Sequence, residues 1–375
     1  MSSGSAAHAY RSRFSHVVDR WFPTPRFLLP LAAGIDISDS SIKWLTLKED
    51  VNGYEIAAYG DKALSPGIVV GGLIQNVEGL SRALVEIKGQ LGGATAAHVA
   101  LPEEAAYVFS MHVPEGEGRE QILRMIEFEF EGRVPIPPSA AVYDFSRIQE
   151  HDGSEGDEIS VTVFPRDVAA SYAECFARAD LELLSLEVEA RSIGRAISSR
   201  EADEPITLLV DFGRARTGFA VLKRGVPIFT STVEIGGNAI LDALQRALSI
   251  SRDEAELFCN IEGLMARAVK RGSGAEIIQR AAAALTAEIE RHYRYWDTRR
   301  NDQGERVTPV GRICLVGGSA NMRGLPEYIA GHIHAPVELG NVWRHICDFD
   351  FYIPPIDRRT SLQFATVAGL ALRTA

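Results

Sequence analysis

Cysteine is scarce in this 375-residue chain: there are four, Cys175, Cys259, Cys314 and Cys347, all far apart. No CxxC pair and no metal-ligand spacing with histidine occurs, so neither a disulfide framework nor a structural zinc site is expected. Long apolar runs are missing too, none reaching the roughly 18 residues that a transmembrane helix needs. The N-terminus shows no secretory apolar core or cleavage site, which predicts a cytoplasmic chain with reduced cysteines. Positive charge is in deficit, the net charge being −11, and this argues against a nucleic-acid-binding surface. His98, His112, His292, His332, His334 and His345 form no triad or metal spacing, so no chemistry is assigned to them.

What is present describes a globular protein, with 46% hydrophobic and 24% charged residues in a chain long enough for two domains. The rest is organised around Ala33–Lys43. An apolar run ends in Asp36, a polar turn with Ser38, Asp39, Ser40 and Ser41 follows, and a second strand-like run leaves it. This reads as a β-hairpin whose hydroxyls and backbone N–H groups can face a phosphate, with the aspartate placed to hold a hydrated Mg²⁺.

The same grammar returns at Leu208–Lys223. Overlaid, Asp36 meets Asp211, Ser38 meets Gly213 and Trp44 meets Phe219, and each copy continues into a third extended run, Tyr54–Tyr59 and Val226–Val233. A repeat of this kind predicts two similar α/β domains whose hairpins face one ligand across a cleft.

Between the copies, Val77–Leu91 has helical spacing and Ala94–Leu101 reads as a buried strand. A segment without counterpart in the second copy follows, from about 103 to 158. It holds a strand at Tyr107–Val113, an acidic helix at Glu120–Glu131, a stiff Val134–Pro138 stretch and a strand at Val142–Gln149. Ile159–Phe164 is expected as a strand completing the first domain, with a helix, a strand and a last helix through Ser199. The domains expected are therefore 31–200, with this insertion, and 205–340, joined by Glu201–Pro205. The second domain carries a helical part at about 239–308. It contains a helix opened by Gly236 and Gly237, another capped at Ser251, and a long one at Glu276–Trp296. Val310–Val316 is a strand running into Gly317, Gly318 and Ser319, where a nucleoside can lie close to the backbone. Residues 341–375 are expected to return to the first domain. Residues 1–30 form a basic and aromatic arm, suited either to an anionic membrane surface or to docking on its own domain.

Two Asp-bearing hairpins and a strand–Gly–Gly turn, in this order, resemble the phosphate 1, phosphate 2 and adenosine motifs of the actin, sugar-kinase and heat-shock ATPase superfamily. Further stretches are similar to the PilM family of type IV pilus assembly, itself similar to FtsA. These are Leu101-Pro102-Glu103 leading to Tyr107–Phe109, then Ile126–Glu129 and Val134–Pro137, Glu234–Ile240, and Leu315–Leu325. The resemblance runs from about residue 31 onward. It implies two ribonuclease-H-like domains around an ATP and Mg²⁺ site.

In that setting Asp36 would orient the metal through water, and Ser38, Ser40, Ser41 and the turn would hold the β-phosphate. Gly213 and Thr217 would contact the γ side, with Asp211 as a second metal or water-positioning carboxylate. Gly236, Gly237, Gly317, Gly318 and Ser319 would bound the nucleoside. Glu189 is a candidate for positioning the attacking water, or else only a helix N-terminal acid. The turn departs from the family pattern, with Ser38 where glycine is usual and Asp39 where serine is usual. A carboxylate there repels a triphosphate unless a cation intervenes, which Arg214 and Arg216 can supply.

The resemblance also implies a partner, the N-terminal cytoplasmic tail of a PilN-like inner-membrane protein. The tail is expected at the insertion, along the edge of Tyr107–Val113 and the wall of Val134–Pro138. Self-association as in FtsA-like filaments, and a peripheral place at the inner membrane, are implied as well. Two other readings stay open: a metabolic kinase on the same fold, and a scaffold without nucleotide.

Overall fold

Ala32–Ile37 (β1) is buried along its length except at Asp36, as befits a strand paired on both sides. The computed structural model describes residues 30–51, 53–149, 156–199, 201, 203–265, 268–300 and 308–373. The expected N-terminal arm, Pro30 excepted, lies outside them.

β1 turns into β2 (Ser41–Asp50) and β3 (Gly53–Ala63), both antiparallel. A small hairpin follows, β4 (Val69–Val70) and β5 (Leu73–Ile74). Its two-residue loop is Gly71-Gly72, with φ of +61° and +71°. A turn with both central residues left-handed matches strand twist and favours glycine. Helix α1 (Val77–Lys88) is capped by Asn76, which accepts the Gly79 N–H at 2.8 Å, and buries Leu80, Leu84 and Ile87. β6 (Ala96–Leu101) then runs parallel to β1.

The insertion comprises β7 (Tyr107–Val113), α2 (Arg119–Arg133), β8 (Ala141–Gln149) and β9 (Asp157–Pro165). Its three strands form their own antiparallel sheet in the order β7-β9-β8. Ile159, Val161 and Val163 of β9 share a separate core with Ile122, Ile126 and Phe130 of α2. The strand expected at Ile159–Phe164 to complete the first domain is therefore the centre of the insertion's sheet. The first domain takes its last strand instead from β10 (Glu182–Val188), reached through α3 (Arg166–Arg178) and followed by α4 (Glu189–Ile197).

The second domain starts with β11 (Ile206–Phe212), β12 (Thr217–Lys223) and β13 (Val226–Val233). Helices α5 (Gly237–Leu248), α6 (Arg252–Ile261) and α7 (Ala268–Asp297) follow, then β14 (Val310–Val316), α8 (Leu325–Ile333) and β15 (Val337–Leu339). Its sheet order, β13-β12-β11-β14-β15, reproduces that of the first sheet, β3-β2-β1-β6-β10, with the same strand senses. The sequence repeat is thus a repeat of the fold.

The last helix, α9 (Ala365–Ala371), is buried all round. It packs on β1 and α4 of the first domain, as expected of a segment that returns there. Gly34 of β1 permits this approach, since a Cβ there would meet Val367 O and stand 2.8 Å from Ala371 N.

Candidate functional site

The turn between β1 and β2 and the turn between β11 and β12 face each other across a cleft. Asp36 and Asp211 hold matching places, each one residue before its strand ends. The cleft is also lined by Ser38, Asp39, Ser40 and Lys43 from the first turn, Gly213, Arg214 and Arg216 from the second, and by Glu103, Glu104 and Glu189. Through Arg214, Gly318 and Gln363 it continues into a second hollow beside α5 and α6, lined by Gly237, Asn238, Ser319 and Asn260.

Glycines let this cradle close. A Cβ on Gly317, where φ is +87°, would overlap Asp211 Oδ1, and one on Gly237 would overlap the Ser319 hydroxyl. That hydroxyl donates to Gly213 O at 3.0 Å and so ties the Gly317–Ser319 turn to the second hairpin.

Carboxylates dominate the electrostatics. Burial raises Asp36, which Lys43 partly offsets, and burial with the nearby Asp36 pushes Asp211 up to about 6. Burial pushes Glu103 up to about 8, against the Ala190 N–H that it accepts at 2.8 Å. Glu189, first residue of α4, is raised well above its ordinary value by burial and by Asp36. Such a set is short of positive charge, and a divalent cation with a polyphosphate fits it. Among the described residues no three metal-ligating side chains converge. Thr232 lines the cleft with a buried Oγ1 that has no hydrogen-bond partner among the described residues, a polar atom left for a ligand.

Asp39 does not stand as a loose charge in the first turn. Its carboxylate accepts the N–H of Gly71 at 3.0 Å and of Gly72 at 2.9 Å, and pairs with Arg216 at 2.5 Å. Arg216 also pairs with Glu104. Arg214 reaches Asp61 on β3 at the longer distance of 3.8 Å.

The other expected residues divide. Ser38, Ser40, Gly213, Gly317 and Gly318 line the cleft. Gly237, Gly318 and Ser319 line its extension. Ser41 is buried, its hydroxyl taking a hydrogen bond from Lys43 Nζ at 3.2 Å. Thr217 is buried and donates to Ile235 O at 2.6 Å, while Gly236 sits tightly against Ala215. These three shape the turns from behind. Sequence reasoning gave no role to Lys43, Glu103 or Thr232. For Lys43 the signal was there, since the hairpin register sets it opposite Asp36.

A separate groove of about 590 Å³ runs between the insertion and the first domain. One wall is Val142–Ser146 of β8 and the other Leu183–Val188 of β10, each the outer strand of its sheet. Leu101 and Phe164 supply apolar lining, and Ser185 is held by His98 at 2.7 Å. The expected peptide walls are elsewhere. β7 lies against β13, and Val134 is buried in the insertion's core with Ile136 packed on it. No helix among the described residues is long and apolar enough to cross a membrane.

Comparison with known proteins agrees with this architecture. A solved PilM–PilN type IV pilus biogenesis complex superposes with a TM-score of 0.75 at 21% identity, covering 93% of this chain and 99% of that one. The ethanolamine utilization protein EutJ of Carboxydothermus hydrogenoformans gives 0.52 at 18% identity, covering 93% and 91%. MreB5 of Spiroplasma citri, solved bound to AMPPNP, gives 0.52 at 12%, covering 91% and 95%. The fold is a two-domain actin-like one. The profile of the type IV pilus assembly protein PilM matches residues 34–375, and on that match the chain belongs to the PilM family.

Proposed function

We propose that this protein is an actin-like assembly protein of a type IV pilus that binds ATP with Mg²⁺ in the cleft and the N-terminal segment of a PilN-like membrane protein in the groove. The observation that carries the partner reading is the groove itself, a channel of mixed apolar and polar lining between two strands that are the outer ones of their sheets among the described residues. An extended peptide laid there can add main-chain hydrogen bonds to β8 or β10 and place alternate side chains on Leu101, Phe164 and Leu186. The family and the PilM–PilN structural likeness support the same partner. Attachment to that partner holds the protein at the inner membrane.

In the cleft, Asp36 and Asp211 orient the water shell of the metal, which when bound neutralises phosphate charge. Ser38, Ser40 and the first turn take the β-phosphate. Gly213 and Thr232 face the γ side, and Gly317, Gly318 and Ser319 bound the nucleoside. Glu189 holds a water or a proton near Asp211.

Calorimetric titration with Mg·ATP and, separately, with a synthetic N-terminal peptide of the cognate PilN tests both halves. Ser146→Arg places a long charged side chain in the groove, away from the cleft. It is expected to weaken the peptide at least tenfold and leave nucleotide binding unchanged. Equal peptide affinity in this variant removes the groove, and absence of Mg-dependent ATP binding removes the cleft reading.

A further inference from the structure

The groove is not built by the first domain and its insertion alone. Pro227, near the start of β13 in the second domain, also lines it. Ser160 of β9 donates to Pro227 O at 2.5 Å, Lys223 pairs with Glu158, and Arg191 donates to Gly225 O at 3.2 Å. The second domain thus closes one end of the peptide site. Along the same strand, five residues on and roughly 17 Å away, Thr232 lines the cleft. β13 touches both sites and is hydrogen-bonded along its length to β12, so it moves with the second domain as a body.

At the cleft, Arg216 joins the domains. Its guanidinium bridges Asp39 of the first turn and Glu104 ahead of the insertion. Asp39 is anchored by the N–H groups of Gly71 and Gly72, so Arg216 meets a fixed partner rather than a swinging one. The Arg216 side chain is 26% exposed, and partial desolvation with bridging geometry makes such a pair stronger than an isolated surface contact.

We propose that Arg216 is a positioning residue for peptide binding: its bridge to Asp39 and Glu104 holds the second domain where Pro227 completes the groove. This rests on the groove being the peptide site. The bridge adds to the packing of β7 and α4 against β13 and holds the cleft end of the second domain in place in the nucleotide-free protein. A lysine at 216 has one point charge and cannot span both acids.

The test uses the full chain and two readouts. Small-angle scattering of the nucleotide-free protein reports the domain arrangement. Titration with the synthetic PilN peptide reports the groove. Arg216→Ala is expected to increase the radius of gyration and weaken the peptide about tenfold in the absence of nucleotide. Arg216→Lys should fall between. If Arg216→Ala folds poorly, Asp39→Asn and Glu104→Gln each remove one arm and are expected to cost about threefold. Unchanged scattering and unchanged affinity in these variants, while Ser146→Arg still abolishes binding, overturn the role of Arg216 and leave the groove standing. If Ser146→Arg has no effect, the groove reading fails, and scattering alone decides whether Arg216 holds the domains.

Discussion

Asp36 on β1 and Lys43 on β2 stand opposite each other as a cross-strand pair, and both face the cleft. Burial raises the Asp36 carboxyl above its ordinary range, and the Lys43 ammonium opposite it partly offsets that rise. Asp36→Ala removes that carboxyl and leaves Lys43 uncompensated. Mg·ATP affinity should drop at least tenfold, about 1.4 kcal/mol, by calorimetry. An unchanged constant would take Asp36 out of the site.

Gly317 meets Asp211 with no room between them, and its φ of +87° is a conformation that side chains rarely adopt. Gly317→Ala therefore has to shift the second hairpin or the Gly317–Ser319 turn. With ψ at 155°, this backbone region is essentially reserved for glycine and costs another residue about 1–3 kcal/mol, to which the overlap adds. Thermal unfolding should move down by several degrees with loss of nucleotide binding. A variant that binds normally would show that this turn has slack.

Glu103 gives a pH signature. Its carboxyl is raised from an ordinary 4.5 to about 8 by burial, so the folded chain holds this proton more tightly than the unfolded chain does. The associated stability is complete below about pH 4.5 and is lost as pH rises through 8. Glu103→Gln keeps an acceptor for the Ala190 N–H but carries no charge at any pH. In the nucleotide-free protein it should raise Tm at pH 9, by roughly 2–4 °C for each kcal/mol of relieved desolvation, and change little at pH 4.5. Parallel Tm curves for the two proteins would contradict the assignment.

Ser251 and Glu254 form a reciprocal cap at the start of α6, with side chain to backbone bonds in both directions. Ser251→Ala should destabilise by about 1 kcal/mol in denaturant unfolding. Because α6 lines the hollow that continues the cleft, a modest loss of ATP affinity should accompany it if the nucleoside lies there as proposed.

The cap was legible in the sequence because its partners lie three residues apart, and both hairpins were legible because pairing across a tight turn is local. Asp39 was legible in part: the facing turn's Arg216 was expected to offset its charge, whereas Gly71 and Gly72, 32 and 33 residues away, are announced by no local pattern. What looked like a charge repelling phosphate is a tether for a hairpin and for the opposite domain. The same limit governed the insertion. Alternation identified Ile159–Phe164 as a strand, but a strand's pattern does not say which sheet it joins. For that reason the peptide edge was expected on β7, which packs against β13, whereas the groove proposed for the peptide lies along β8.

The position of α9 carries a consequence for biosynthesis. The first domain's central strand is covered by a helix that follows the whole second domain in sequence, so the N-terminal half leaves the ribosome with that face bare. The second domain's own strands and helices are contiguous from Ile206 to Leu339 and can assemble as they emerge. The domain made first is therefore completed last, when α9 arrives to cover its central strand.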